Sequence, residues 1–149
     1  MKRFITFILL ICCTGFIHAQ ITFTKEEQAV QQTITQVFDA LSNKDSVSLR
    51  NQCTPDVKFY EYGKTWTIDS LITLAITSNN ALDFKRTNKI HFVNTTISGN
   101  TAWATYNLYS EITANGKNSS IHWMETEVLV LEQNKWKIKL LHSTLVKRN

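Results

Sequence analysis

The segment NKWKIKLLHSTL, residues 134–145, indicates the fold class because it alternates like a β-strand with one buried face. Its apolar and lysine side chains follow one another in the order Trp136, Lys137, Ile138, Lys139, Leu140. If the alternation continues, His142 and Thr144 point inward with the apolar residues. A β-bulge would reverse the two faces beyond it.

Three turn signals divide the chain from Phe84 onward into four strand-like segments. They are Ser98-Gly99-Asn100, Asn115-Gly116 and Gln133-Asn134. Asn-Gly is the strongest, because both residues tolerate the positive φ angles of a tight hairpin turn. Four consecutive strands joined by short turns predict an antiparallel meander.

The first half of the chain has helical periodicity. Thr24 and Glu27 form a capping box, and a stripe at helical spacing follows it, consisting of Val30, Ile34, Val37, Phe38 and Leu41. The pattern predicts a long helix that ends near Ser42. Helices first and strands after predict an α+β fold with the helices packed on one face of the sheet.

Two further helices and one short strand complete the prediction. Asp45 is a good cap for a short helix through Cys53, which Pro55 ends. Residues 57–62 are typical of a strand that ends at a turn at Gly63. Thr67 could cap a third helix with an apolar stripe of Ile68, Leu71, Ile72 and Ala75.

This order of elements, with the phrases CTPDVKFYEYG (53–63) and NKWKIKLLHSTL, resembles the nuclear-transport-factor-2-like superfamily, and most of all its SnoaL-like and ketosteroid-isomerase-like small proteins. The resemblance covers residues 24–147. It implies a curved sheet, a four-strand meander plus a short strand, that wraps with three helices into a cone. It also implies a pocket at the open end and an outer sheet face that often forms dimers. Members include isomerases, cyclases, dehydratases and scaffold proteins, so the fold does not select the function.

The resemblance to ketosteroid isomerase places Glu61 near that enzyme's proton-abstracting aspartate. A carboxylate in an apolar pocket can have a raised pKa and act as a general base; the alternative is a solvated carboxylate at a strand end. The enzyme's oxyanion-binding tyrosine would lie near Val37, which cannot donate a hydrogen bond. Steroid isomerisation is therefore not expected.

Other candidate site residues come from the predicted strands. His142 is either a pocket acid or a core histidine, and Thr144 would line the pocket beside it. Tyr60, Trp66 and Tyr106 are candidates for an aromatic pocket wall.

Acidic residues and histidines of the predicted strands are further candidates. Glu125 and Glu127 share one face, and either line the pocket rim or pair with Lys137 and Lys139 across a solvated surface. The spacing of His91, His122 and His142 gives no metal motif. We expect no metal and no cofactor.

Residues 1–20 have the pattern of a secretory signal peptide: Lys2 and Arg3, an apolar run, then His18-Ala19-Gln20. Cleavage after Ala19 gives a signal peptide of residues 1–19 and a single domain of residues 20–149. The leader is of bacterial style and predicts a periplasmic or secreted protein without a stable membrane anchor.

Removal of the leader changes the charge and the cysteine count. The whole chain of 149 residues has 16 Lys plus Arg, 12 Asp plus Glu and a net charge of +4. Loss of 19 residues leaves 130, with 14 basic and 12 acidic side chains and a net charge of +2. This balance and the absence of a basic stripe argue against nucleic acid as a partner. Cys53 remains as a lone thiol, and we expect it to be a buried structural thiol because it would face the core with Leu49.

Three functions stay open at this stage. The first is a homodimeric module that binds a small apolar or amphipathic molecule in the cone. The second is a cofactor-free isomerase, cyclase or dehydratase in which Glu61 or His142 moves a proton. The third is a structural dimerisation domain, favoured if the cone holds no cavity of roughly 300 Å³ or more.

Overall fold

A computed structural model describes residues 22–149, and the leader predicted for residues 1–19 lies outside the described residues. In chain order the elements are α1 (Lys25–Ser42), α2 (Ser46–Asn51), β1 (Cys53–Glu61), β2 (Lys64–Trp66), α3 (Ile68–Ile72), a π-helical segment (Thr73–Thr77), β3 (Lys85–Ser98), β4 (Thr101–Ala114), β5 (Lys117–Glu132) and β6 (Lys135–Arg148). The fold is α+β, as the sequence predicts.

One six-stranded sheet has the strand order β2-β1-β6-β5-β4-β3. Strands β3 to β6 form the predicted antiparallel meander. β1 joins the other edge of the meander by pairing in parallel with β6, and β2 folds back on β1. The sheet is curved and does not close, so its concave face holds the helices as in a cone.

The helix ends confirm the local signals of the sequence. Thr24 and Glu27 form both hydrogen bonds of the capping box at α1, and Asp45 and Thr67 cap α2 and α3. One boundary differs, because α2 ends at Asn51 and Cys53 is the first residue of β1. Cys53 is nevertheless buried, as predicted.

The predicted hairpin turns are also confirmed. Asn115 and Gly116 have φ angles of 52° and 70°, and Gln133 and Asn134 have φ angles of 50° and 61°. Positive φ at both central residues is the geometry of a type I′ turn, whose twist matches that of the flanking strands.

A β-bulge in β6 overturns the expected orientation of His142 and Thr144. Leu129 pairs with Ile138, whereas Val128 pairs with Leu140, so Lys139 is the extra residue. The extra residue shifts the alternation by one, because successive side chains of a strand point to opposite faces. Beyond the bulge Leu141 and Ser143 are buried, and His142 and Thr144 are exposed on the outer face.

The core lies between α1 and the concave face. Helix α1 contributes a buried stripe that includes Val30, Ile34, Val37 and Phe38. The sheet contributes buried residues of β4 that include Ala102, Ala104 and Leu108. In the part of the chain described, no helix is long and apolar enough to span a membrane.

Candidate functional site

A cavity of about 160 Å³ lies between the helices and the concave face of the sheet, at the end where β1 stops and β3 starts. Its apolar wall is formed by Val37, Phe38, Leu41, Phe59, Leu71, Leu74, Ala75, Leu108 and Leu141. Four other residues bring polar groups to it: Glu61, Arg86, Trp123 and Glu125. An apolar cavity with a few converging polar groups is the usual form of a small-molecule site.

Arg86, near the start of β3, is the cation of this cavity. Its Nε donates to Asn88 Oδ1 at 2.9 Å, and a terminal nitrogen donates to Ser110 Oγ at 3.3 Å. The rings of Phe38 and Trp123 lie 5.8 Å and 6.0 Å from the guanidinium carbon. Burial lowers the pKa of Arg86, and the nearby Glu125 and Glu61 act in the opposite direction.

The ion pairs within 4.0 Å among residues 22–149 are Arg50–Asp69 and Lys139–Asp56, both on the surface. Arg86 is therefore held by neutral groups, without a carboxylate in direct contact. Asn88 in turn donates to Ser42 Oγ at 2.8 Å, which ties the arginine to α1.

Trp123 and Glu125 leave two buried polar atoms without a protein partner. They are Oε2 of Glu125 and the indole Nε1 of Trp123, which lies near the Glu61 carboxyl but outside hydrogen-bond geometry with it. Glu125 Oε1 is satisfied, since it accepts from Ser143 Oγ at 3.0 Å. A buried polar atom without a partner costs about 1–3 kcal/mol, so a bound molecule that pairs with these atoms would gain free energy.

Behind the cavity, Tyr106 joins Glu125 to a second buried carboxyl, Glu127. Tyr106 lies opposite Glu125 in the sheet and donates from its hydroxyl to Glu127 Oε1 at 2.7 Å. Burial raises the pKa of Glu125 to about 7 and that of Glu127 well above its ordinary value, although the nearby hydroxyl of Tyr106 acts against both shifts. Burial of Glu127 therefore favours the neutral carboxylic acid over the carboxylate.

The burial of Glu125 and Glu127 excludes the solvated pairing with lysines, and of the two acids Glu125 lines the cavity. Glu125 is 4% exposed and Glu127 is 0% exposed. Lys137 and Lys139 instead bond to the Asn51 carbonyl and to Asp56. The alternation of β5 carried a usable signal, because the two acids share a face with apolar Ile121, Trp123 and Leu129.

Glu61, at the end of β1, lies at the edge of the cavity and is partly exposed. Burial raises the pKa of its carboxyl, while Arg86, Arg148 and the nearby indole of Trp123 lower it. Glu61 therefore lies at the cavity together with Arg86 and Trp123, which the sequence did not single out as site residues.

Two other predicted residues meet Glu61 on its outer side. Tyr60 and His142 are paired across β1 and β6, and with Glu61 they line a groove of about 280 Å³ at this edge of the sheet. The groove also contains Ser143, the residue that donates to Glu125. Three of the candidate residues, Tyr60, Glu61 and His142, are therefore neighbours, although His142 lies outside the cone.

The remaining predicted wall residues do not line the cavity. Tyr106 is 0% exposed and lies in the core behind it, Trp66 packs against the core, and Thr144 is on the outer face. The described residues contain no group of three or more His, Cys, Asp or Glu side chains that could hold a metal ion.

Larger depressions lie at the other end of the molecule. One of about 810 Å³ is lined by the start of α1, the end of β3 and the β5–β6 turn. Ile97 in this depression is 11 residues along β3 from Arg86, which corresponds to roughly 36 Å of strand. The buried atoms without partners found in residues 22–149 belong to Trp123, Glu125 and Glu127. The first two of these residues line the smaller cavity, which is therefore the better candidate site.

The sequence profile of the SnoaL-like domain family matches residues 30–146. The chain therefore belongs to the SnoaL-like family, within the nuclear-transport-factor-2-like superfamily. A comparison with curated proteins gives no match.

Solved structures confirm the fold. A ketosteroid isomerase-like protein from Erwinia carotovora atroseptica has a TM-score of 0.69 at 12% identity, with 84% of this chain and 99% of that chain covered. A nuclear-transport-factor-2-like protein from Cytophaga hutchinsonii has a TM-score of 0.68 at 15% identity, with 83% and 100% covered. The S. rosetta CaMKII hub has a TM-score of 0.67 at 19% identity, with 84% and 100% covered. At these identities the likeness establishes the fold, and the function has to be argued from the site.

Proposed function

We propose that the protein binds a small, partly apolar molecule in the cavity lined by Arg86, Trp123 and Glu125. The proposal is carried by one observation. Two residues that line an apolar cavity each have a buried polar atom without a partner, Trp123 Nε1 and Glu125 Oε2. Isolated polar groups of this kind are unfavourable in a core, and a ligand would offset their cost.

The size of the cavity limits the ligand. Its volume of about 160 Å³ is below the range of about 300–1,000 Å³ that is usual for drug-sized ligands. It corresponds to about five water molecules at ~30 Å³ each. By the volume criterion alone a structural role would be favoured, whereas the unpartnered atoms favour a compact ligand.

A blocked cavity tests the proposal. Ala75→Phe places a ring in the cavity wall, and Thr77→Phe adds the same ring at an exposed position of the same π-helical segment. Thermal unfolding with a panel of small alcohols, ketones, amides and carboxylates should show a stabilising compound for the wild type and Thr77→Phe, but not for Ala75→Phe. Unchanged melting of the wild type with every compound would refute the proposal.

A second candidate is a cofactor-free isomerase, cyclase or dehydratase. It is supported by two carboxyls of raised pKa at one cavity, Glu61 and Glu125, since burial moves the pKa of a carboxyl toward the range in which it can act as an acid or a base. Proton NMR in D₂O with small ketones would detect exchange at the carbon next to the carbonyl. Catalysis by the cavity requires that exchange is lost in Glu125→Gln or Glu61→Gln and retained in His142→Gln.

We also propose a homodimer formed through the outer face of the sheet. Large apolar side chains are exposed there, among them Trp103 (38%), Met124 (56%) and Val93 (54%). An exposed apolar patch of this kind marks an interaction surface. Light scattering after gel filtration should give a dimer for the wild type and a monomer for Met124→Glu, with Lys58→Glu on β1 as the control. A monomeric wild type would exclude this arrangement.

Export is proposed on the leader pattern of residues 1–20. Expression of the whole chain in a Gram-negative host, followed by fractionation and mass spectrometry, should give a periplasmic protein that begins at Gln20. An intact Met1 terminus in the cytoplasm would contradict the proposal.

A further inference from the structure

We propose, building on the binding function above, that the ligand is a short-chain monocarboxylate whose carboxylate accepts hydrogen bonds from Arg86, from the indole N–H of Trp123 and from a protonated Glu125. A carboxylate offers acceptor atoms alone, and these complement the donor groups at the cavity.

The first step concerns Arg86. Its guanidinium is oriented by Asn88 and Ser110 and flanked by two rings, and no carboxylate of the described chain lies within 4.0 Å of it. A planar guanidinium is a good donor group for a carboxylate. The guanidinium is thus already oriented and has no carboxylate in direct contact, so an anion can bind to it without displacing one.

The second step concerns the two atoms without partners. Trp123 Nε1 can act solely as a donor, and Glu125 Oε2 becomes a donor when it is protonated. A carboxylate has acceptor positions and no donor, so it can satisfy both atoms at once. An alcohol or an amide carries donor hydrogens of its own, so it would complement these donor groups less completely.

The third step concerns charge. Glu125 is faced by Arg86 from β3, Tyr106 from β4, Glu61 from β1 and Ser143 from β6, with Glu127 on its own strand. Burial raises the pKa of Glu125 to about 7, so protonation at neutral pH costs little. An anion beside Arg86 favours the protonated form further, and binding should therefore take up a proton.

The remainder of the ligand is apolar and short. Leu41, Leu71, Leu108 and Leu141 form walls that suit an alkyl chain. The volume of about 160 Å³ limits the length of that chain, and hexanoate is a suitable probe, with hexanol as its uncharged counterpart.

Isothermal titration calorimetry with hexanoate and hexanol tests the inference. The wild type should prefer hexanoate by at least about tenfold, and comparison of buffers with different ionisation heats should show uptake of about half a proton at pH 7. The dissociation constant should rise about tenfold from pH 6 to pH 8, while hexanoate itself stays ionised.

Three variants separate the contacts. Arg86→Gln should weaken hexanoate binding by more than about tenfold and leave hexanol binding unchanged. Trp123→Phe removes the N–H and keeps an aromatic ring, and should weaken hexanoate by about tenfold. Glu125→Gln keeps a donor without a titrating proton, so it should retain binding and lose both proton uptake and pH dependence.

Several outcomes overturn the inference. Equal or tighter binding of hexanol refutes the monocarboxylate and leaves the binding function intact. Hexanoate binding that is insensitive to Trp123→Phe, or whose pH dependence persists in Glu125→Gln, also refutes it, and these two variants suffice if Arg86→Gln does not fold. If neither probe nor any compound of the panel binds the wild type, both proposals fail.

Discussion

Tyr106 donates a 2.7 Å hydrogen bond to Glu127, and neither side chain is exposed to solvent. A carboxyl group in such a position is stable as the neutral acid, because ionisation would leave an uncompensated charge in the core. Burial accordingly raises the pKa of Glu127 well above its ordinary value. The stability of the core therefore depends on the protonation of buried carboxyl groups as well as on apolar packing.

The free energy of unfolding should fall as the pH rises above about 4.5. Glu125 and Glu127 ionise near pH 4.5 when unfolded, and their raised folded-state pKa means that the native state holds more protons. Their stabilisation is present below that pH and is lost as the pH rises through the folded pKa, which for Glu125 is about 7. The shift in the pKa of Glu125 from 4.5 to about 7 alone corresponds to about 3 kcal/mol of unfolding free energy, at 1.36 kcal/mol per pKa unit.

Thermal unfolding from pH 5 to pH 8.5 checks this dependence. Glu127→Gln should match the wild type near pH 5 and melt higher than the wild type at pH 8, because the amide is neutral in both states. A wild-type protein that becomes more stable between pH 5 and pH 8 would contradict the assignment of neutral buried acids.

Tyr106→Phe should destabilise the protein by about 1–3 kcal/mol, because it leaves Glu127 Oε1 buried without its donor. Tyr60→Phe is the matched control, since Tyr60 is 37% exposed, and it should change the stability by less than about 0.5 kcal/mol. Urea unfolding followed by circular dichroism measures both. Equal effects of the two changes would mean that the buried hydrogen bond contributes nothing.

Leu141→Ala and His142→Ala test the bulge at Lys139. Leu141 is 7% exposed and His142 is on the outer face. The leucine change should cost about 2–5 kcal/mol because it opens a space in the core, and the histidine change should be close to neutral. The reverse order of the two effects would restore uninterrupted alternation along β6.

Cys53 should resist alkylation in the native protein. Its side chain is buried, and burial raises the pKa of the thiol to about 12, so the reactive thiolate is scarce. Iodoacetamide treatment followed by peptide mapping should show modification of Cys53 after unfolding in urea and little before it. A cysteine introduced at exposed Lys58 on the same strand serves as the reactive control, and native-state labelling of Cys53 at the same rate would contradict its burial.

The sequence by itself determined the parts of this protein that depend on neighbours along the chain. Thr24, Asp45 and Thr67 cap helices through bonds to residues two or three positions away, and the Asn115-Gly116 turn requires backbone angles that these two residues tolerate. Such contacts join residues that are close to one another in the sequence, and they were sufficient to predict the α+β order and the antiparallel meander.

The tertiary structure alone decided which residues form the cavity. The bulge at Lys139 arises in the pairing of β6 with its neighbours, and it turns His142 outward and Ser143 inward. Glu125 and Glu127 are tolerated in the core because Ser143 and Tyr106, 18 and 21 residues away, supply donors to them. Arg86 reaches the same cavity from β3. A buried charge or carboxyl is stable only where distant partners converge on it, and a single strand's alternation cannot reveal that convergence.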